Sequence, residues 1–168
     1  MKKIILALML LTPFFFSSCE EAEELTGAME FTIGDKSYSF PITTFLRKGE
    51  QTIITSTELT NSATIIFKGD TSGNYPLGVG ANLEEALRNL IELKDPENIF
   101  IYYPTGNTDD SYISLYGSLV ITEYTDKKIT GTFVGFGVKK DIALSGVEDI
   151  ITAENKAFAG AFTAIAVN

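Results

Sequence analysis

Apolar and polar residues alternate with a period of two along much of the chain from Met29 onward, which is typical of half-buried β-strands. Residues 29–33 and 38–40 follow this pattern on either side of Gly34-Asp35-Lys36, which is typical of a turn, so they predict a β-hairpin. Pro41 cannot donate to a β-ladder, so we expect the second strand to lie at a sheet edge or to end there.

Further short runs rich in β-branched and aromatic residues predict more strands, separated by turn-forming residues. Residues 60–62 are typical of a turn, and residues 69–80 and 104–110 are typical of loops. Thr125-Asp126-Lys127 predicts the turn of a long hairpin. The strands predicted after the first hairpin are residues 52–57, 64–67, 99–103, 112–124, 128–138 and 157–167.

One segment has the period of an α-helix instead. Asn82 is a preferred N-cap residue, and Glu85 three residues later completes the pattern of a capping box. Pro96 stops the helical pattern, so the sequence predicts a helix at about residues 83–93 that covers an open face or end of the β structure. The residues expected on its buried face are Leu83, Leu87, Leu90 and Ile91.

Glycines stand inside two of the predicted strands, where they mark close approach or bending of a sheet. They share a face with apolar residues: Ile129, Gly131, Phe133 and Gly135 in one strand, and Phe158, Gly160, Phe162 and Ala164 in the other. Such strands predict a curved sheet. The predicted fold class is therefore mainly β, an antiparallel β-sandwich or a small barrel with one covering α-helix, and the sequence leaves both architectures open.

The start of the chain has the layout of a secretory signal peptide, with basic, apolar and small residues in that order. Its apolar run, residues 4–16, is shorter than the roughly 20 residues that a spanning helix needs. Phe16-Ser17-Ser18-Cys19 resembles the lipobox of bacterial lipoproteins, although leucine is commoner where Phe16 stands. The resemblance implies removal of residues 1–18 and attachment of lipid to Cys19, and two or more acyl chains anchor a protein stably.

Cys19 is the only cysteine in the sequence, so an intrachain disulfide is excluded, and lipidation would account for a lone thiol in an exported protein. The alternative is a secreted protein without lipid, cut after Cys19. Residues 20–24 contain four glutamates and predict a solvated tether over residues 19–28, followed by a single β-rich domain over residues 29–168. The acidic run also resembles that of surface-exported Bacteroidota lipoproteins, and its alternative role is that of a charged spacer.

The last third of the chain contains Gly117-Ser118-Leu119-Val120-Ile121-Thr122, then Lys128-Ile129-Thr130-Gly131-Thr132-Phe133, and finally Gly160-Ala161-Phe162. This series resembles the closing pattern of a family of small Bacteroidota lipoproteins of unknown function. The resemblance implies a location in the cell envelope and a β-rich fold. It assigns no catalytic residue.

The chain has 13 basic and 22 acidic residues, a formal net charge of −9, and residues 1–18 contribute two lysines and no acid. An acidic surface repels phosphate backbones, so nucleic acid is disfavoured as a partner. It also repels anionic lipid headgroups, so membrane attachment is expected through covalent lipid rather than adsorption.

Several catalytic chemistries are excluded by composition. Without histidine there is no Ser-His-Asp triad and no zinc site built on histidine and cysteine. There is no P-loop, and Gly78-Val79-Gly80 is better explained as a turn than as part of a dinucleotide motif, so we expect no cofactor. Carboxylates remain, because glycosidases use a pair of them. The candidates, whose spacing indicates no pair, are Asp70, Asp109, Asp110, Glu123, Asp126, Glu148 and Asp149.

Two further groups of side chains could bind a ligand. Asn107-Thr108-Asp109-Asp110-Ser111 gathers oxygen ligands for calcium but lacks the spacing of an EF-hand, and such residues also form ordinary turns, so we expect no metal site. Four tyrosines flank this loop: Tyr102, Tyr103, Tyr112 and Tyr116. They line a sugar-binding or peptide-binding surface, or they fill the core and cap strand ends, as strand propensity favours.

These features predict a lipid-anchored protein of the cell envelope, on the outer membrane or the cell surface, that binds a glycan or a protein and catalyses no reaction. The alternatives are a structural subunit of an envelope assembly and a hydrolase that depends on a carboxylate pair.

Overall fold

The computed structural model describes residues 26–92, 94–104, 110–145 and 147–167. Within these ranges the chain forms ten β-strands and three α-helices. The strands are β1 (Ala28–Ile33), β2 (Lys36–Phe40), β3 (Ile42–Lys48), β4 (Gln51–Glu58), β5 (Asn61–Lys68), β6 (Gly73–Gly78), β7 (Ile99–Tyr103), β8 (Tyr112–Tyr124), β9 (Lys128–Lys139) and β10 (Lys156–Ala166). The helices are α1 (Leu83–Ile91), α2 (Lys140–Ser145) and α3 (Val147–Thr152).

Seven of the strands close into a barrel in the order β3-β4-β5-β7-β8-β9-β10. Neighbouring strands pair antiparallel, except that β10 returns to β3 through a short parallel contact in which Ile165 opposes Thr44 and Ala166 opposes Phe45. The hairpin of β1 and β2 extends the sheet beside β10, and β6 adds an edge strand beside β8. The predicted mainly β class is confirmed, and of the two predicted architectures the molecule adopts the barrel.

Aromatic side chains fill the interior of the barrel, as expected for a barrel with few strands. The ring centroid of Phe100 lies 4.8 Å from that of Phe133, 5.1 Å from that of Phe158 and 5.3 Å from that of Phe31. The other buried phenylalanines are Phe40, Phe45, Phe67 and Phe162. Because this interior is packed with rings, a ligand has to bind at the rim or on the outer surface.

Phenylalanines and glycines lie opposite each other on β9 and β10. These are the glycines predicted to mark close approach or bending of the sheet, and they leave room for the phenylalanine rings. The three cross-strand pairs are Phe162 with Gly131, Gly160 with Phe133, and Phe158 with Gly135. A Cβ atom on Gly135 would lie 2.7 Å from Cζ of Phe158, so a larger residue would collide with the ring. This complementarity helps to fix the register, since a shift by one residue would turn every side chain to the other face.

Helix α1 begins where the capping box predicts, because the Asn82 side chain accepts a hydrogen bond from the backbone N–H of Glu85 at 3.0 Å. It ends at Ile91, two residues before the predicted end. The predicted buried face is only partly right: Leu90 packs against apolar residues of the domain, but Leu83 is 44% exposed and Ile91 70% exposed. Ala86 is instead the buried residue, because α1 packs through a small side chain against a second apolar cluster outside the barrel that contains Leu115, Val138 and Ile150.

Other differences from the sequence-based expectations lie in short elements. Strand β3 and helices α2 and α3 fall in segments for which no element is predicted. Strand β6 lies inside the predicted loop of residues 69–80, where it pairs with β8 as an edge strand that tolerates Pro76. The turn predicted at residues 60–62 comes one residue earlier, at residues 59–60. Strand β1 begins at Ala28, one residue before the predicted start of the domain.

Candidate functional site

A cavity of about 280 Å³ opens at the rim of the barrel, where the β1–β2 turn, Pro104 after β7, Asp110 before β8, the end of β9 and the start of β10 meet. We call it the tyrosine–lysine cleft. Its lining residues are Ile33, Lys36, Tyr38, Tyr102, Pro104, Asp110, Tyr112, Lys139 and Lys156. The volume suits a group of the size of one sugar or amino-acid residue, just below the usual range for small-molecule pockets.

The inner wall of the cleft is made by tyrosines that belong to the aromatic core. Tyr38 stacks on Phe31 with 5.1 Å between ring centroids, and the Tyr38 and Tyr102 centroids are 4.5 Å apart. The hydroxyl groups of Tyr38 and Tyr102 are hydrogen-bonded to each other. Buried rings thus hold the hydroxyls rigidly, as expected where tyrosine offers an apolar body and a polar tip.

The outer wall of the cleft carries the lysines, which come from three different strands. The ammonium of Lys156 is hydrogen-bonded to the hydroxyl of Tyr112, and the backbone at Gly34 lies against the Lys156 side chain. Gly34 has a positive φ of 56° and donates its N–H to the carbonyl of Ala157 at 2.8 Å, so the β1–β2 turn is fixed against the start of β10. Lys139 Nζ lies 3.8 Å from Asp110 Oδ1.

Tyr38, Tyr102 and Lys156 keep their protons at neutral pH. Burial raises the pKa of the Tyr102 hydroxyl well above its usual range, and Tyr38 and the Asp110 carboxylate act in the same direction. Burial also raises the pKa of Tyr38. The hydrogen bond to Tyr112 raises the pKa of Lys156. Tyr38, Tyr102 and Lys156 therefore keep their hydrogens for hydrogen bonding.

The charge of the cleft is opposite in sign to that of the whole chain. Of the described residues, three lysines and one aspartate line the cavity, whereas the chain has 13 basic and 22 acidic residues. The carboxylate of Glu154 also acts on Lys156, so the described residues at the cleft keep an excess of one positive charge. The cleft is thus a local cationic site on an acidic protein.

Two of the four tyrosines singled out from the sequence line the cleft. Tyr102 and Tyr112 do so while they are almost fully buried, so they belong to the core and to the cavity at once. Tyr103 lies outside the cleft with Lys140 Nζ 4.6 Å from its ring centroid. Tyr116 stacks on Phe136 outside the barrel, with 5.2 Å between centroids.

Four polar residues of the cleft were missed by the sequence reasoning: Lys36, Tyr38, Lys139 and Lys156. Lys36 and Tyr38 were recognised only as parts of a hairpin. A signal was present, because Lys36, Lys139 and Lys156 each stand at the end of a strand. Strand ends gather at the rims of a barrel, but only the pairings of β10 with β1 and with β9 show that these three share one rim.

The candidate carboxylates do not gather at one site among the described residues. Asp70 is ion-paired with Arg47 at 2.7 Å, and Glu123 is ion-paired with Lys128 at 2.9 Å. Asp110 faces the cleft. Glu148 and Asp149 lie exposed on α3, Asp126 lies exposed in the β8–β9 turn, and Asp109 falls outside the described residues.

The proposed calcium loop lies largely outside the described residues, because only Asp110 and Ser111 of its five residues are described. In the described part of the chain, no group of three or more acidic, histidine or cysteine residues could hold a metal ion. Cys19, the residue expected to carry lipid, also lies outside the described ranges.

A second cavity, of about 360 Å³, lies beside α1. It is larger than the tyrosine–lysine cleft, but its polar groups already serve the local fold. Glu85 accepts a hydrogen bond from the backbone N–H of Ala81, and Asn89 donates to the carbonyl of Val79. We therefore take the tyrosine–lysine cleft as the candidate site, because its polar groups face the cavity from separate strands.

Comparison with known proteins adds no assignment. No protein-family model matches the sequence, and no curated protein is significantly similar to it. The resemblance to small Bacteroidota lipoproteins therefore stays a prediction. Among the helices of the described residues, none has the length and apolar character needed to cross a bilayer.

Proposed function

We propose that this chain is a lipid-anchored protein of the bacterial cell envelope whose barrel binds a ligand in the tyrosine–lysine cleft without transforming it. The observation that carries the proposal is the convergence of three tyrosines and three lysines on one cavity at the rim of a barrel whose interior is filled. A packed barrel with a polar rim is suited to surface recognition, because its strands hold the side chains of the site rigidly.

The protonation of the cleft supports binding rather than catalysis. General acid–base chemistry needs a group whose pKa lies near the working pH. The pKa values of Tyr38, Tyr102 and Lys156 are all raised above their usual alkaline values, so these groups donate hydrogen bonds without exchanging protons at neutral pH. The alternative of a carboxylate-dependent hydrolase finds support only in Asp110, the one acidic residue among those that line the cleft.

The sequence before the barrel supports the lipid anchor. The lipobox-like Phe16-Ser17-Ser18-Cys19 supplies an attachment site, and the glutamates of residues 20–24 supply a hydrophilic spacer. The chain enters strand β1 at Ala28 and reaches the cleft at Ile33, five residues later. A β-strand rises by about 3.3 Å per residue, so the cleft lies roughly 17 Å along the strand from the end that joins the tether.

Protease treatment of intact cells tests the location. We expect the domain to be cleaved on intact cells while a periplasmic marker survives, and we expect a Cys19→Ala variant to be lost from the membrane fraction. Cleavage only after lysis would contradict the surface location. A Cys19→Ala variant that stays with the membrane would contradict the lipid anchor.

Binding is tested separately on the purified protein, with a panel of neutral and acidic saccharides and peptides and with the thermal midpoint as the readout. A ligand that binds the folded state raises the midpoint by mass action. We expect at least one compound to raise the midpoint of the wild-type protein and to lose that effect in a Tyr38→Phe variant. A panel without any effect would contradict the proposed binding function.

A structural role within an envelope assembly is the second candidate, and one surface favours it. Val120, Val134 and Phe136 lie on the outer side of β8 and β9 and are 38%, 56% and 39% exposed. Exposed apolar patches often mark contacts between proteins. Copurification of the wild-type protein with an envelope complex, lost in a Val134→Lys variant, is the result that this role predicts.

A further inference from the structure

We propose that the tyrosine–lysine cleft recognises a carboxylate carried on a small hydroxylated unit, of which a uronic acid residue of a saccharide is the simplest example. This inference rests on the proposed binding function and names the class of ligand for the same site. It follows from the charge, the donors and the size of the cleft.

The excess of positive charge in the cleft is only partly neutralised by the protein. Lys139 lies 3.8 Å from Asp110, which is longer than the roughly 2.7–2.9 Å of a strong charge-assisted hydrogen bond. The hydroxyl of Tyr112, a neutral partner, makes the main contact with the Lys156 ammonium, and the carboxylates of Glu154 and Asp110 contribute less. Lys36 adds a third ammonium from another strand. A ligand with a negative charge would complete this arrangement.

The three lysines repel one another across the cleft, so stability alone does not explain why they are placed there. Like charges that share a cavity raise the free energy of the folded state, and elsewhere on this chain lysines are paired with carboxylates at shorter distances. Lys68 lies 3.0 Å from Glu50, and Lys94 lies 2.7 Å from Glu92. An acidic chain that nevertheless concentrates lysines at one rim is suited to focusing a small anion into that site.

The charge favours a carboxylate over a more highly charged anion. Asp110 already places one carboxylate in the cleft, so a dianion such as phosphate would meet more repulsion than a monoanion. The cavity of about 280 Å³ has room for a single sugar-sized unit. The hydroxyls of Tyr38, Tyr102 and Tyr112 are hydrogen-bonding groups that suit a polyol beside the charged group.

Calorimetric titration with three probes tests the inference: sodium glucuronate, glucose and inorganic phosphate. Glucuronate and glucose differ at one carbon, which carries a carboxylate in the first and a hydroxymethyl group in the second. We expect glucuronate to bind more tightly than glucose and phosphate, and its affinity to fall as the salt concentration rises. Conversion of Lys36 or Lys156 to glutamine is expected to weaken glucuronate binding about tenfold, the effect of losing a hydrogen bond to a charged group.

The matched control is Lys127→Gln, which removes the same charge from the exposed β8–β9 turn, far along the barrel from the cleft. We expect this variant to bind glucuronate within about twofold of the wild type. Because Lys36 lies exposed next to a turn, Lys36→Gln should fold normally, and an unchanged thermal midpoint without ligand verifies this.

Each other outcome has a separate meaning. If glucose binds as tightly as glucuronate and the lysine variants bind like the wild type, the carboxylate assignment is wrong while the binding function stands. If phosphate binds more tightly than glucuronate and the lysine variants lose it, the cleft is an oxyanion site of another class and the assignment is again wrong. If no compound of the panel binds, neutral or acidic, the proposed binding function fails as well.

Discussion

Gly160 on β10 is the position where a single added methyl group tests the described packing most directly. A Cβ atom there would lie 2.5 Å from Cβ of Phe31, 2.6 Å from the carbonyl oxygen of Glu30 and 2.6 Å from Cζ of Phe133. Real Cβ atoms essentially never approach other atoms so closely. Two of these three atoms belong to β1 and are fixed by the pairing of β1 with β10, so they cannot rotate away.

The expected cost of Gly160→Ala follows from these contacts. Adding one methyl group to a well-packed core costs about 1–3 kcal/mol, and we expect the upper end because the nearest atoms are a backbone oxygen and a Cβ. For a domain of this size a loss of 1 kcal/mol lowers the thermal midpoint by roughly 2–4 °C. The Gly160→Ala variant should therefore melt about 6–12 °C below the wild type.

Urea denaturation and calorimetry of the two proteins measure this difference, with Gly73→Ala as the matched control. A Cβ on Gly73 would make only an ordinary contact of 3.6 Å with the ring of Tyr75. We expect the free energy of unfolding of this control to stay within about 0.5 kcal/mol of the wild type. If Gly160→Ala destabilises no more than Gly73→Ala, then β1, β9 and β10 do not meet as described.

Three further substitutions test other parts of the fold. Thr52→Val should cost about 1–3 kcal/mol, because the buried Thr52 hydroxyl bonds to the carbonyl of Gly69 at 2.7 Å and to the hydroxyl of Tyr124 at 2.8 Å, and urea denaturation measures the loss. Leu59→Gly should raise the free energy of unfolding by about 1 kcal/mol, because Leu59 has a positive φ of 49° and a fully exposed side chain. Tyr102→Phe should reduce the loss of stability as the pH rises above 10. The raised pKa of Tyr102 lets the folded state bind more protons than the unfolded state in this range. Because of this group, the free energy of unfolding of the wild type falls by up to about 1.4 kcal/mol per pH unit.

For each of these three predictions, one result would contradict the reasoning. Thr52→Ser keeps the hydroxyl, so a serine variant as unstable as the valine variant would assign the loss to packing rather than to the hydrogen bonds. Leu59→Ala keeps the strain at positive φ, so an alanine variant as stable as the glycine variant would refute the backbone argument. A Tyr102→Phe variant whose stability falls with pH as steeply as that of the wild type would refute the buried hydroxyl as a cause.

The parts of the fold that were predictable have strong local patterns. The long hairpin of β8 and β9 and strand β10 alternate over most of their length, and glycines of β9 and β10 stand on the same face as buried phenylalanines. That combination indicates a curved sheet, and in the structure Phe158 on β10 pairs with Gly135 on β9. The cap at Asn82 likewise fixes the start of α1 from two neighbouring residues.

The parts that were not predictable depend on distant partners. Strand β6 contains Gly73 and Pro76 and looks like a loop, but an edge strand needs only its main chain to pair. The buried face of α1 depends on Leu115 and Val138, which come later in the chain and leave Leu83 exposed. No local pattern reveals these contacts.

Only part of the cleft could be predicted from the sequence, because its other residues come from strands that are far apart in the chain. Tyr102 and Tyr112 flank one loop and pair with each other across β7 and β8, so their proximity can be inferred from the sequence. Lys36 and Lys156 stand near opposite ends of the chain, and they meet only because Ile33 on β1 pairs with Phe158 on β10. Closure of the barrel, rather than any motif, creates the cationic rim.

The central place of β10 has a consequence for how the protein folds. It is the last of the described strands, yet it contacts β1, β3 and β9, and Ala28 pairs with Thr163 across almost the whole described sequence. Contacts between residues so far apart in sequence slow folding, because a long loop must close before they form. Until β10 pairs, the phenylalanines of β1 and β9 lack the cover that this strand gives them, so the barrel closes only when β10 joins the sheet.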